Sequence, residues 1–97
     1  MPTYLALLNF TDQGIRTVKD TTKRAAAARE LAQKAGVEMK EVYWTLGQYD
    51  LAVIFEGPDD TAMTAVGLAL GSAGNVRSQT LRAFNVDEMN TILSKMP

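Results

Sequence analysis

The sequence predicts an α+β fold built around one antiparallel sheet, and three observations carry that prediction. Four short apolar or alternating runs are separated by segments of helical period in the order β-α-β-β-α-β, with a helical tail behind them. The first and third runs are almost free of charge, whereas the second and fourth carry Glu38, Lys40, Glu41, Arg77 and Arg82. Charges belong on sheet edges, where they resist edge-to-edge pairing. The chain has 97 residues, 46% of them hydrophobic, which suits a single core and is too apolar for disorder.

Taken in order, the first run is TYLALLNF at 3–10, apolar on both faces and followed by Thr11-Asp12, both suited to cap a helix. From Gln13 to Ala35 the residues Ile15, Val18, Ala25, Ala28 and Ala32 fall broadly on one helical side. Asp20-Thr21-Thr22 interrupts the pattern, so a short first turn and then a longer helix are expected. Gly36, tolerant of left-handed backbone, stops that helix. VEMKEVYWTLG at 37–47 alternates, with Met39, Glu41, Tyr43 and Thr45 assigned to one face and Val42, Trp44 and Leu46 to the other. Gly47-Gln48 reads as a tight hairpin turn into YDLAVIFEG at 49–57.

Pro58-Asp59-Asp60 opens the second main helix, a proline entering and carboxylates lying at the positive end of the dipole, and Gly74 closes it. NVRSQTLRAF at 75–84 is the fourth strand, placing Val76, Ser78, Thr80, Arg82 and Phe84 on one face. A short helix beginning near Asn85 or Asp87 carries Val86, Met89, Ile92, Leu93 and Met96. Two right-handed crossovers around a central hairpin give the ferredoxin-like βαββαβ sheet, order 4-1-3-2, plus a C-terminal helix. No linker or repeat divides residues 1–97, so a single domain is expected.

Composition removes many chemistries. With no cysteine and no histidine, the chain offers no disulfide, no thiolate or imidazole metal site, no histidine base and no Ser-His-Asp triad. Oxygen ligands remain, but no acidic loop has metal-binding spacing, so neither metal nor cofactor is expected. Ten basic and eleven acidic residues leave a formal charge of −1, scattered along the chain, which is no footprint for nucleic acid or an anionic membrane. No apolar stretch approaches the roughly 20 residues of a membrane span, and the N-terminus lacks signal-peptide features, so a cytoplasmic location is expected.

The predicted topology packs both main helices on one sheet face. The opposite face of an antiparallel sheet should then be polar at alternate positions, yet strand 1 offers Tyr4, Ala6, Leu8 and Phe10 on one face and Thr3, Leu5, Leu7 and Asn9 on the other, and strand 3 is apolar on both sides. So large an apolar patch calls for a cover. A second copy packed sheet to sheet is the simplest one, and the predicted homodimer is of this kind. The rival cover is the tail helix folding back across its own sheet.

The candidate functional residues lie around the hairpin and the strands. Asp50 is a candidate general base or ligand acceptor, or else the carboxylate that caps the corner. Tyr49 either turns its hydroxyl into a cavity or packs its ring and wets its tip. Tyr43 and Trp44 face opposite ways, so one cavity can take only one of them. Asn9, an amide closing an apolar strand, needs a hydrogen-bond partner if buried, in a loop or in a ligand. Arg77 and Arg82 are candidate anchors for an anionic group, or solvated edge residues. Gly67 and Gly71 allow close helix–sheet contact or a cavity floor.

Three segments in order, NFTDQGIRTVKD, VYWTLGQYDLAVIFEGPDD and LALGSAGNVRSQTLRAF, resemble the GYD-domain family of small bacterial and archaeal proteins. Gly47, Tyr49 and Asp50 match its Gly-Tyr-Asp, with Gln48 interposed. The resemblance implies a dimeric α+β barrel and no particular activity. Three functions stay open. One is a homodimeric module that binds a small apolar or aromatic molecule or a protein. Another is a cofactor-independent enzyme, monooxygenase-like or isomerase-like, with catalytic Asp50 and Tyr49 and ligand contacts from Asn9, Tyr43, Trp44 and Arg82. The third is the effector-sensing domain of a regulator.

Overall fold

Strand β1 (Thr3–Phe10) is the hinge of the sheet: it pairs antiparallel with β3 (Leu51–Glu56) on one side and β4 (Val76–Ala83) on the other. Strand β2 (Glu38–Trp44) pairs with β3, giving the order β2-β3-β1-β4 in this computed structural model of residues 1–97. That is the expected 4-1-3-2 arrangement, with the two nearly uncharged strands at its centre. Helices α1 (Asp12–Arg16) and α2 (Thr21–Lys34), separated by a 3-10 turn at Val18–Asp20, join β1 to β2. Helix α3 (Asp60–Ser72) joins β3 to β4, and α4 (Val86–Ser94) follows. No helix is long and apolar enough to cross a membrane.

Caps explain where the helices start. The Thr11 hydroxyl accepts the Gly14 N–H, the Asp59 carboxylate accepts the Ala62 N–H, and Asn85 and Glu88 form a reciprocal capping box on α4. Gly36 takes a positive φ of 76° and ends α2 as its sequence position suggests.

Pairing register decides which side chains meet. Tyr4, Ala6 and Leu8 lie level with Phe55, Val53 and Leu51, and all six are buried beneath the helices together with Ala32, Met63 and Val66. Two local expectations are corrected. The β2/β3 register shifts between Met39 and Glu41, so Lys40 is an extra residue. This bulge turns Met39 to the helix side, opposite Phe55 and alongside Val42, while Glu41 and Tyr43 stay on the open face. Nor is the hairpin a two-residue turn. Pairing ends at Trp44 and Leu51, and the loop over 45–50 is closed by the Thr45 N–H donating to the Asp50 carbonyl at 2.8 Å. Gly47, at φ 104°, still supplies the left-handed residue the loop needs.

The other side of the sheet carries Leu5 between Ile54 and Leu81, flanked by Leu7 and Ala52. Helix α4 does not cover it. Val86, Met89, Ile92 and Leu93 are 77%, 45%, 37% and 50% exposed, and only Glu88 in that helix is better shielded.

Candidate functional site

The residues singled out in the sequence fall in separate places. Asp50 is a strut: its Oδ2 accepts the Phe10 N–H at 2.9 Å while its own N–H donates to the Leu8 carbonyl. The carboxylate thus completes the hydrogen bonding at the end of β1. Tyr49 donates its hydroxyl to Gln79 Oε1 at 2.9 Å across the open face. Asn9 lies on that face opposite Arg77, and Tyr43 stands half exposed at the far edge. Trp44 is on the helix side, its Nε1–H donating to Thr21 Oγ1 at 3.0 Å. Arg82 is far from both, at the opposite edge of the sheet. Asp50, Tyr49, Asn9, Tyr43, Trp44 and Arg82 therefore do not converge.

Helix α3 instead divides the helix layer into two clefts. Between α2 and α3 lies an apolar cavity of about 300 Å³, walled by residues such as Leu8, Phe10, Leu31, Val53, Phe55 and Leu70. This is the small end of ligand-pocket size. Its polar rim is Thr21, Arg24 and Asn75, with Trp44 held beside it through Thr21. Arg24 is committed to structure: its guanidinium donates to the Thr17 carbonyl and hydroxyl and to the Gly14 carbonyl, 6.0 Å above the Phe10 ring centroid. Such a cavity can hold a hydrocarbon or aromatic group, and it brings no acid or base against it.

Between α3 and β4 lies a second cleft, of about 400 Å³ and opposite character. Here the Tyr4 hydroxyl donates to Asp60 Oδ1 at 2.6 Å, and the Arg82 guanidinium sits 5.7 Å from the Tyr4 ring centroid and 4.5 Å from that of Phe84. Arg82 also donates to the carbonyls of Thr3 and Ala83 and pairs with Glu88 Oε2 at 3.3 Å. The bond to Asp60, with burial second, pushes the Tyr4 phenol up to about 12. Tyr4 is thus a fixed donor at neutral pH and no base. Glu88 is shifted the other way, below its usual range, by the Asn85 N–H and then by Arg82. Sequence reasoning missed Tyr4, Asp60 and Thr64 here. Its own face assignment held the signal, since Ser78, Thr80 and Arg82 are polar on the side of β4 that faces the helices.

A pH experiment checks the Tyr4–Asp60 contact. Because the folded-state value lies above the ordinary 10, the unfolded chain gives up this proton first. The contribution to stability is complete below about pH 10 and is lost as pH rises from there to about 12. Ultraviolet titration of the folded protein should show a phenolate step near pH 12 that Tyr4→Phe removes.

Comparison with known proteins agrees with the fold. The sequence profile of the GYD domain matches residues 4–93. The glutamine synthetase and cystathionine beta-lyase binding protein of Thermus thermophilus is 33% identical over 90 residues, covering 92% of this chain and 95% of its own. The crystal structure of TTHA0845, from the same organism, superposes with a TM-score of 0.58 at 25% identity, over 89% of this chain and 96% of that one. With the profile spanning β1 through α4 and the strand order in place, the chain belongs to the GYD domain family.

Proposed function

We propose that this protein is a homodimeric interaction module that docks on a metabolic enzyme, rather than a catalyst. The observation that carries the reading is apolar surface left uncovered in two separate places, the open sheet face and the side of α4 bearing Val86, Met89 and Leu93, with Met96 just past its end. Four strands about 4.8 Å apart and about seven residues long make a sheet face of roughly 450 Å² in flat projection. Side-chain relief brings that toward the roughly 800 Å² per partner of a standard interface. A second copy on this face gives the dimeric α+β barrel.

The apolar side of α4 then serves the heterologous partner. Its spacing is that of a helix laid into a groove, with anchors three, seven and ten residues beyond the first. The name of the Thermus relative supports a protein partner, and supports enzymes that make or cleave amino acids as its class. The apolar cavity between α2 and α3 gives the same module room for a small apolar or aromatic ligand. The enzyme reading is less favoured because Asp50, its designated base, lines neither of the two clefts and does not meet Arg82 or Trp44.

The test is direct binding of the purified protein to the glutamine synthetase and the cystathionine beta-lyase of the same organism. At least one should bind, and Leu93→Glu should weaken it tenfold or more while leaving the melting temperature and the mass in solution unchanged. If neither enzyme binds the folded protein, the reading is lost. A Leu93→Glu chain that changes its own oligomeric mass would instead place α4 in the self-interface.

A further inference from the structure

We propose that the polar cleft between α3 and β4 binds a free α-amino acid, its ammonium group held by Asp60 and its carboxylate by Arg82. The inference stands apart from enzyme docking and rests on the cleft alone. The helix-facing side of a sheet is ordinarily apolar, and on β1 and β3 it is, with Tyr4, Ala6, Leu8, Leu51, Val53 and Phe55 buried there. On β4 the same side continues as Ser78, Thr80 and Arg82. Helix α3 does not close over them. A Cβ built on Gly67, which faces them across the cleft, meets nothing within 4 Å. The fold thus sets aside about 400 Å³ of hydroxyl-lined space where a well-filled layer would have apolar packing.

The charges in this space have a polarity. Asp60 uses Oδ1 for the Tyr4 hydroxyl and leaves Oδ2 free to accept. Arg82 spends Nη1 on the Thr3 and Ala83 carbonyls and one Nη2 proton on Glu88, leaving Nε–H and a second Nη2–H to donate. Its stacking on Phe84 and Tyr4 fixes the guanidinium plane in advance, so little side-chain freedom is lost on binding. Asp59, Asp60 and Glu88 outnumber Arg82, so a simple anion is disfavoured and a ligand that brings its own cation is required. A ligand with both charges, a few ångströms apart, satisfies both ends. The hydroxyls of Thr64, Ser78 and Thr80 take the remaining donors and acceptors, and Met63 and Leu68 offer an apolar wall to an aliphatic side chain.

The test is amide NMR of the isolated ¹⁵N-labelled protein, without any enzyme, titrated with L-methionine, N-acetyl-L-methionine and L-methioninamide. L-Methionine should shift the amides of Thr64, Gly67, Ser78 and Thr80 saturably at millimolar concentration or below. Blocking either charge should weaken binding at least tenfold. Gly67→Leu fills the cleft with a residue that has space to fold and should abolish the shifts; Asp60→Asn, which keeps an acceptor for Tyr4, should weaken them tenfold. Absence of saturable shifts at those amides overturns the proposal, as does equal binding of either blocked analogue or unchanged binding by Gly67→Leu. Failure here leaves enzyme docking by α4 intact, and the converse also holds.

Discussion

Gly14→Ala is expected to destabilise the fold by about 3 kcal/mol, the top of the usual range for an overpacked buried site. Gly14 is buried in α1, and a Cβ there would lie 2.0 Å from the Asn75 carbonyl oxygen and 2.9 Å from its carbon. Both partners are backbone, so no rotamer change relieves the clash. The two segments are also tied together. The Thr11 N–H donates to that same carbonyl at 3.1 Å, its hydroxyl donates to the Gly74 carbonyl, and Gln13 Nε2–H donates to the Ala73 carbonyl and Asn75 Oδ1. This lattice fastens the turn after β1 to the entry of β4, and moving it drags on both strands. The better helix propensity of alanine, about 1 kcal/mol, does not offset that. At roughly 4–8 °C per kcal/mol for a domain of this size, the melting temperature should fall by roughly 12–24 °C. Gly71→Ala is the control: its Cβ meets nothing within 4 Å and it keeps helical backbone in the last turn of α3, so stability should hold or rise instead. Urea midpoints of the two variants moving in the same direction would refute the assignment of Gly14 to a close backbone approach.

That contact marks the limit of what periodicity can disclose. Strand order is legible because burial on both faces demands uncharged strands at the centre, and β1 and β3 alone satisfy it. Helix starts are legible because Thr11, Asp59 and Asn85 are local caps whose partners lie three residues on. The hairpin misleads for a physical reason. Gly47-Gln48 has the composition of a two-residue turn, but Asp50 bonds through both its carboxylate and its N–H to β1 and takes the Thr45 N–H on its carbonyl, so the loop is pinned at 45 and 50 rather than at 46 and 49. The bulge at Lys40 leaves no trace in an alternation that it merely reverses. Tyr4 and Asp60 are 56 residues apart, and only the folded sheet shows that one donates its hydroxyl proton to the other. The polar row on β4 was visible, yet edge-strand polarity has a simpler meaning until α3 is seen to leave it open.

The second large effect concerns the open sheet face. Leu81→Glu is expected to turn the proposed dimer into a monomer that keeps its fold. Leu81 is 40% exposed within one chain and lies on the edge strand, so a carboxylate there stays hydrated in the monomer and costs little. In the dimer the same position lies beside Leu5, in the cross-strand row that continues to Ile54 on the covered face, where a charge must shed water without a partner. A two-fold interface contains the substitution twice. At about 2–3 kcal/mol for each copy the loss is roughly 4–6 kcal/mol, or about a thousandfold or more in the dimer dissociation constant. Sedimentation velocity at micromolar concentration should show wild-type protein at twice the chain mass and the variant at one chain mass, with far-ultraviolet circular dichroism unchanged. Leu93→Glu on α4 should leave the dimer whole. A wild-type protein sedimenting as a single chain, or a Leu81→Glu variant with wild-type association, would mean that the apolar sheet face is not where two copies meet.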